Sequence, residues 1–322
     1  MGTAEGVTRA RLDVDPRLAR RVVDLTVEKA RSSGDGSPAR ALSAALEPVY
    51  RASAGEAARA EGFEAIDRRL FEEWGGASVV AEAVAELPRL AAALDAIWLG
   101  CAERGEAAGA DLGGKTLRQL GVAVSPSLFL EPEALRLFLR RELLHVDDTL
   151  DPEFGYRPGI LLAGRPGALE NLARDRLRLL WGISVDGRVA RRWPAAARLR
   201  EERLGEARAA YRSLPEELPE RVVERLWSGP RPAFEELRRW ACGNESLLEA
   251  FLPGSRPAPG AFVPGSPCPL CGFPVARLVA EWGEERPHLE ELIAIDFPAW
   301  RPESGACERC VEGYLVRAGA WL

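Results

Sequence analysis

Two pairs of cysteines near the C-terminal end restrict this chain more than any other feature. Cys268-Pro-Leu-Cys271 and Cys307-Glu-Arg-Cys310 share one spacing, with 35 residues between Cys271 and Cys307. Cysteines spaced this way form tight knuckles whose backbone N–H groups donate to the sulfurs, and Gly272 directly after Cys271 suits the left-handed turn that closes one. Four thiolates brought together complete a closed, tetrahedral Zn²⁺ site. The first residues, MGTAEGVTRARLDVDPRLARR, contain no apolar core of a secretory signal. In an unsecreted chain paired cysteines point to metal before disulfides. An iron–sulfur cluster or two redox pairs are the alternatives, and neither has a supporting pattern.

The spacer between the pairs predicts strand material over Pro274 to Trp282 and a helix over His288 to Ile295, with a last helix beginning at Cys310. A segment of about 60 residues builds only a small core, so the metal is expected to supply much of its stability. Trp282, Phe297, Trp300 and Tyr314 are expected to pack around the knuckles. Cys101 and Cys242 read as buried thiols, and His288 as an exposed histidine. Before the module, Pro253 to Pro267 (PGSRPAPGAFVPGSP) is a linker rich in proline and glycine.

Upstream, residues 131–156 (EPEALRLFLRRELLHVDDTLDPEFGY) predict a central helix with Pro132 in its first turn. On a helical wheel Leu135, Leu139, Leu143 and Val146 line one side. Ala134, Leu137, Phe138, Arg141, Leu144, His145 and Asp148 line the other. A helix apolar on two sides is buried between other elements, yet one side carries an arginine, a histidine and an aspartate. A second long helix is predicted from about Ala168 to Trp193, with Asp175, Leu179, Gly182 and Asp186 on one face.

Arg141-Glu142-Leu143-Leu144-His145 resembles the H-E-x-x-H motif of the zincin metallopeptidases, with arginine in place of the first histidine. The resemblance implies that His145 matches the second zinc ligand and Glu142 the general base. Arg141 departs from the pattern, because a guanidinium has no lone pair for a metal. In gluzincin-like members the third ligand is acidic and lies on a downstream helix. Glu170, Asp175 and Asp186 are the candidates, and Asp186 is favoured. In a degenerate site Arg141 supplies the cation in place of the metal and pairs with Asp186 or Asp175. An active alternative keeps a second metal on His145, Asp148 and Asp186, with Glu142 as base. The bland alternative is a buried helix with a satisfied histidine and a salt-bridged arginine. The cysteine module resembles a treble clef or zinc ribbon.

The remaining residues mostly exclude. A net charge of −6 and a pI near 5.4 give no general attraction to nucleic acid or membrane surfaces, so nucleic-acid binding and membrane association are not expected. No apolar run reaches about 18 residues, as a membrane span requires. Lys29 and Lys115 are the only lysines, so arginine clusters here reflect composition and do not mark phosphate sites. Gly109 to Thr116 matches G-x-x-x-x-G-K-[ST], but no buried strand precedes it and no long helix follows, so a flexible glycine loop is expected. Residues 15 to 105 show helical spacing and no strand-like alternation.

The chain therefore reads as mainly α, with a helical N-terminal region (1–125), a zincin-like helical core (126–252), a linker (253–267) and a small α+β zinc module (268–322). The expected protein is cytoplasmic and zinc-binding, and acts by binding a protein partner. A metal-dependent hydrolase and a nucleic-acid-binding zinc protein are the alternatives.

Overall fold

A computed structural model describes residues 10–52, 55–102, 108–114, 118–164, 168–212, 214–254, 266–275, 278–279, 289–298 and 300–318. Trp282, His288, Lys115, Thr116 and most of the linker lie outside the described residues. The chain divides into two compact units, Met1–Pro152 and Glu153–Leu322.

The first unit is built on a sheet, which corrects the expectation of a helical bundle. Strands β1 (Arg11–Val14), β2 (Ala96–Cys101), β3 (Gly109–Gly113) and β4 (Gln119–Val124) are ordered β1-β2-β4-β3. The first two pairings are parallel, and β3 runs antiparallel to β4 at the edge. In β2 the side chains of Ile97, Leu99 and Cys101 are buried while Trp98 between them is exposed, a period of two. Their partners Leu120, Val122 and Val124 on β4 are buried as well, so the register stacks six apolar side chains on one face. Six-residue strands inside a run of alanine and leucine are hard to separate from helix by composition. The glycine-rich stretch is likewise a strand: Gly109–Gly113 pairs with Gln119–Ala123, and its backbone groups go to the ladder.

Five helices precede β2: α1 (Pro16–Ser32), α2 (Ser37–Arg51), α3 (Glu56–Glu73), α4 (Gly76–Ala85) and α5 (Pro88–Ala93). The carboxylate of Asp15 caps α1 by accepting from the Arg17 N–H at 2.8 Å, next to Pro16 in the first turn. The central helix, α6 (Pro132–Thr149), belongs to this unit and not to a separate core after residue 125. Its predicted apolar side is the reason. Leu135, Leu139, Leu143 and Val146 enter the same core as Ile97, Leu99, Leu120 and Val122. Arg140 ties α6 to the end of α4 through a two-pronged pair with Glu86, at 3.0 and 2.8 Å.

The second unit is helical over α7 (Ala168–Arg192), α8 (Leu199–Ala210), α9 (Leu218–Ser228), α10 (Phe234–Cys242) and α11 (Asn244–Phe251). Before α7, Leu162 and Ala163 form a turn held by Glu170, which accepts from the Ala163 N–H at 2.8 Å. From Gly182 to Gly187 every residue of α7 is buried, the signature of a helix enclosed by neighbours. Two glycines allow it. A Cβ on Gly187 would stand 2.2 Å from the Trp227 carbonyl oxygen of α9, so only glycine permits that approach. A Cβ on Gly182 would stand 2.7 Å from Nη2 of Arg203, which crosses α7 there and donates from Nε to Asp186 at 2.7 Å. Gly182 and Asp186 share a face because one clears the path and the other ends it.

Asp186 is 1% exposed and Arg203 15%, so removing one partner strands the other charge away from water. Asp186→Ala is expected to lower stability by about 3 kcal/mol in urea unfolding. The double variant Asp186→Ala/Arg203→Met is expected to lose less than that single one. A double variant at least as unstable would mean that the pair is not the source.

Candidate metal centre

The C-terminal module gathers the four cysteines from two knuckles. The first begins where Pro267 and Pro274 form an antiparallel bridge, with the Cys268 N–H donating to the Phe273 carbonyl at 2.8 Å. Gly272 closes it at φ +69° and donates to the Cys268 carbonyl at 2.9 Å, as its place after Cys271 predicts. The second knuckle leads into α13 (Glu308–Arg317), and α12 (Leu289–Asp296) fills part of the predicted helical spacer.

Gly305 sets the second knuckle in place. Its φ is +66° with extended ψ, and a Cβ there would meet the Val279 carbonyl oxygen at 3.0 Å and the Leu278 Cβ at 2.9 Å. The next residue, Ala306, makes both hydrogen bonds of a bridge to Val279, which brings Cys307 in line with the first knuckle. The Trp300 indole N–H donates to the Gly305 carbonyl at 2.9 Å, satisfying the one polar atom of a buried ring. Trp300, Phe297 and Tyr314 pack with Leu289, Ile293 and Val311 around Cys268 and Cys307, as expected of the aromatic residues.

All four sulfurs lie within 4.8 Å of one another. Sγ of Cys268 is 4.0 Å from that of Cys310, and Sγ of Cys271 is 3.8 Å from that of Cys307. Each close pair takes one sulfur from each knuckle, forming opposite edges of a tetrahedron. Zinc–sulfur bonds of about 2.3 Å give a tetrahedron with edges of about 3.8 Å. A disulfide would need about 2.05 Å, and all four thiols are free. Among the described residues, this is the set of three or more His, Cys, Asp or Glu side chains close enough to share an ion.

The charges of the thiols differ. Burial pushes the Cys268 thiol up, but the N–H groups of Cys271, Cys307 and Leu270 outweigh it and bring it down to about 7. One of these donors, the Cys307 N–H, stands 3.3 Å from the Cys268 sulfur. Cys310 is pushed up, first by burial and then by the facing thiols of Cys307 and Cys271. Cys307 is also raised, again first by burial. One thiolate is thus ready near neutral pH, while these neighbours keep their protons unless a cation takes their place.

The other candidate residues are distributed over the two units. On α6 Asp148 is fully buried, and Arg141, Glu142 and His145 are half-buried. Glu142 faces the edge strand, its Oε2 lying 3.5 Å from where a Cβ on Gly109 would be. In the second unit each acidic candidate holds an arginine: Glu170 with Arg174 at 2.6 Å, Asp175 with Arg178 at 2.9 Å, and Asp186 with Arg203. Arg203 was not foreseen, because it lies seventeen positions beyond Asp186, past a turn and in no regular period. Cys101 is buried as expected, whereas Cys242 is exposed, at the end of α10.

Compared with protein family models, with curated proteins and with solved structures, the chain matches none. No described helix is long and apolar enough to cross a membrane.

Two outcomes follow from this geometry. Gly305→Ala is expected to destabilise the module by about 2 kcal/mol or more, through backbone strain and the contact with Val279, and to weaken metal binding in a chelator competition. Binding must release the protons of Cys307 and Cys310, so apparent zinc affinity should rise with pH. Between pH 6 and 7 the gain is expected to exceed about a hundredfold, because Cys268, at about 7, gives up part of its proton over the same range as well. A pH-independent affinity would contradict the raised thiols.

Proposed function

We propose that the four cysteines hold one structural zinc ion and that the protein works by binding a protein partner, without catalysis. The observation that carries the first part is the crossed pair of sulfur edges at 4.0 and 3.8 Å. All four tetrahedral positions are filled by protein sulfur, and Cys268 and Cys307 are buried, which leaves no open position for a substrate. Zinc in such a site supplies folding energy to a module whose apolar core is small.

A binding role is supported by the module's surface. Phe273, Ile295 and Val316 are each more than 60% exposed, on the first knuckle, α12 and α13 respectively. Large apolar side chains left in water on a small rigid module suit contact with another protein. On this reading the zincin-like stretch of α6 is a remnant, since Arg141 cannot ligate a metal and Asp186 is spent on Arg203. A reducing compartment, the cytoplasm by preference, keeps the thiols available to the ion.

Zinc per chain by native mass spectrometry tests the reading, on the wild type and on Cys268→Ser/Cys307→Ser. One zinc that the double substitution removes is the expected result. A second zinc that survives it and disappears with His145→Ala would replace this reading with a metal-dependent hydrolase on α6, using His145 and Asp148 as ligands and Glu142 as base.

A further inference from the structure

Arg176 is the most buried guanidinium among the described residues, 2% exposed on α7 between Ala173, Leu177 and Leu180. Its Nη1 donates to Oδ1 of Asn244 at 2.8 Å, and its Cζ lies 5.5 Å from the centroid of the Tyr211 ring. Its Nε and Nη2 are buried without a hydrogen-bond partner among the described residues. Enclosing a guanidinium with only a neutral amide and a ring beside it is costly, because both contacts replace little of its hydration.

The orphaned atoms form a particular edge. Nε–H and one Nη–H of arginine point in parallel and match two oxygens of one oxyanion. In the first unit this chain uses the same edge twice. Nε and Nη2 of Arg118 take both oxygens of Asp95 at 2.7 and 2.8 Å, and those of Arg140 take both oxygens of Glu86. At Arg176 no described carboxylate takes that edge.

Other donors converge near it. Asn244, already bound to Nη1, is the first residue of α11, where N–H groups of the first turn carry partial positive charge. The Tyr211 hydroxyl is buried without a partner, and burial pushes its pKa up, so it remains a protonated donor. Cys242, two residues before Asn244, is exposed at the end of α10.

We propose that Arg176 anchors an oxyanion-binding site, in which Nε and Nη2 grip two oxygens of a carboxylate or phosphate group. The Tyr211 hydroxyl and the first turn of α11 supply further donors. The site belongs to the helical part of the second unit and does not depend on the zinc reading.

Thermal unfolding of the full-length, zinc-loaded protein tests it, in acetate, in inorganic phosphate and in chloride at equal ionic strength. The preferred anion is expected to raise the wild-type Tm above its chloride value, by about 5 °C or more once it exceeds Kd a hundredfold. Phosphate acting alone assigns a phosphorylated ligand, and acetate acting alone a carboxylate. Arg176→Lys keeps the charge and loses the parallel edge, so it should bind the same anion at least tenfold more weakly. The proposal fails if neither anion exceeds chloride in the wild type, or if Arg176→Lys responds as the wild type does. It also fails if Arg176→Met shows the same anion-dependent rise in Tm as the wild type, since the arginine then takes no part in binding the anion.

Discussion

The enclosure of α7 governs the second unit. A helix buried from Gly182 to Gly187 cannot leave a charge to water, so each polar group it carries must find its partner inside the fold. Asp186 does so through Arg203, and the absence of a side chain at Gly182 makes that reach sterically open. Gly187 lets the Trp227 backbone of α9 come within contact of α7, so the same helix is close-packed beside its buried aspartate. Arg176, two to three turns earlier, meets the same constraint only in part: an amide and an aromatic ring face it, and Nε and Nη2 stay without a partner among the described residues.

The cysteine module solves a different problem with few residues. Its core is a handful of side chains around Cys268 and Cys307, too little apolar surface to hold two knuckles by burial alone. What positions the knuckles is backbone geometry: the left-handed turn at Gly272, the constrained Gly305, and the bridge between Val279 and Ala306. These place four sulfurs together, and burial first, then the facing sulfurs, make Cys307 and Cys310 hold their protons. A divalent cation takes the place of those protons, so metal and fold support each other.

Much of this was legible before any coordinates. The Cys-x-x-Cys spacing picked out the four cysteines that the structure gathers within metal-binding distance, and the steps of four, four and three from Leu135 through Leu139 and Leu143 to Val146 identified the core side of α6. The stretch from Ala168 to Trp193 was recognisable as one long helix. Arg176 was also within reach, since three and four positions separate it from Ala173 and Leu180 on the apolar stripe. The sheet was not legible. Ile97, Leu99 and Cys101 alternate with exposed or half-buried residues over six positions, too short a run to stand out after the alanines and leucines of α5. Nor was the strand at Gly109–Gly113, whose glycines suggest a loop until β4 is seen to pair with it.

Local chemistry and periodicity by themselves determined which cysteines form knuckles, which helices are amphipathic and where tight turns fall, because those properties depend on neighbours within a few positions. Only the tertiary structure decided the rest: the parallel pairing of β1, β2 and β4, the membership of α6 in the sheet unit, and the choice of Arg203 as the partner of Asp186. Parallel strands and buried ion pairs join residues far apart in the chain, and each partner, once removed from water, depends on the other to satisfy it. No local pattern records such a pairing, since each half of it looks ordinary until the other is placed beside it.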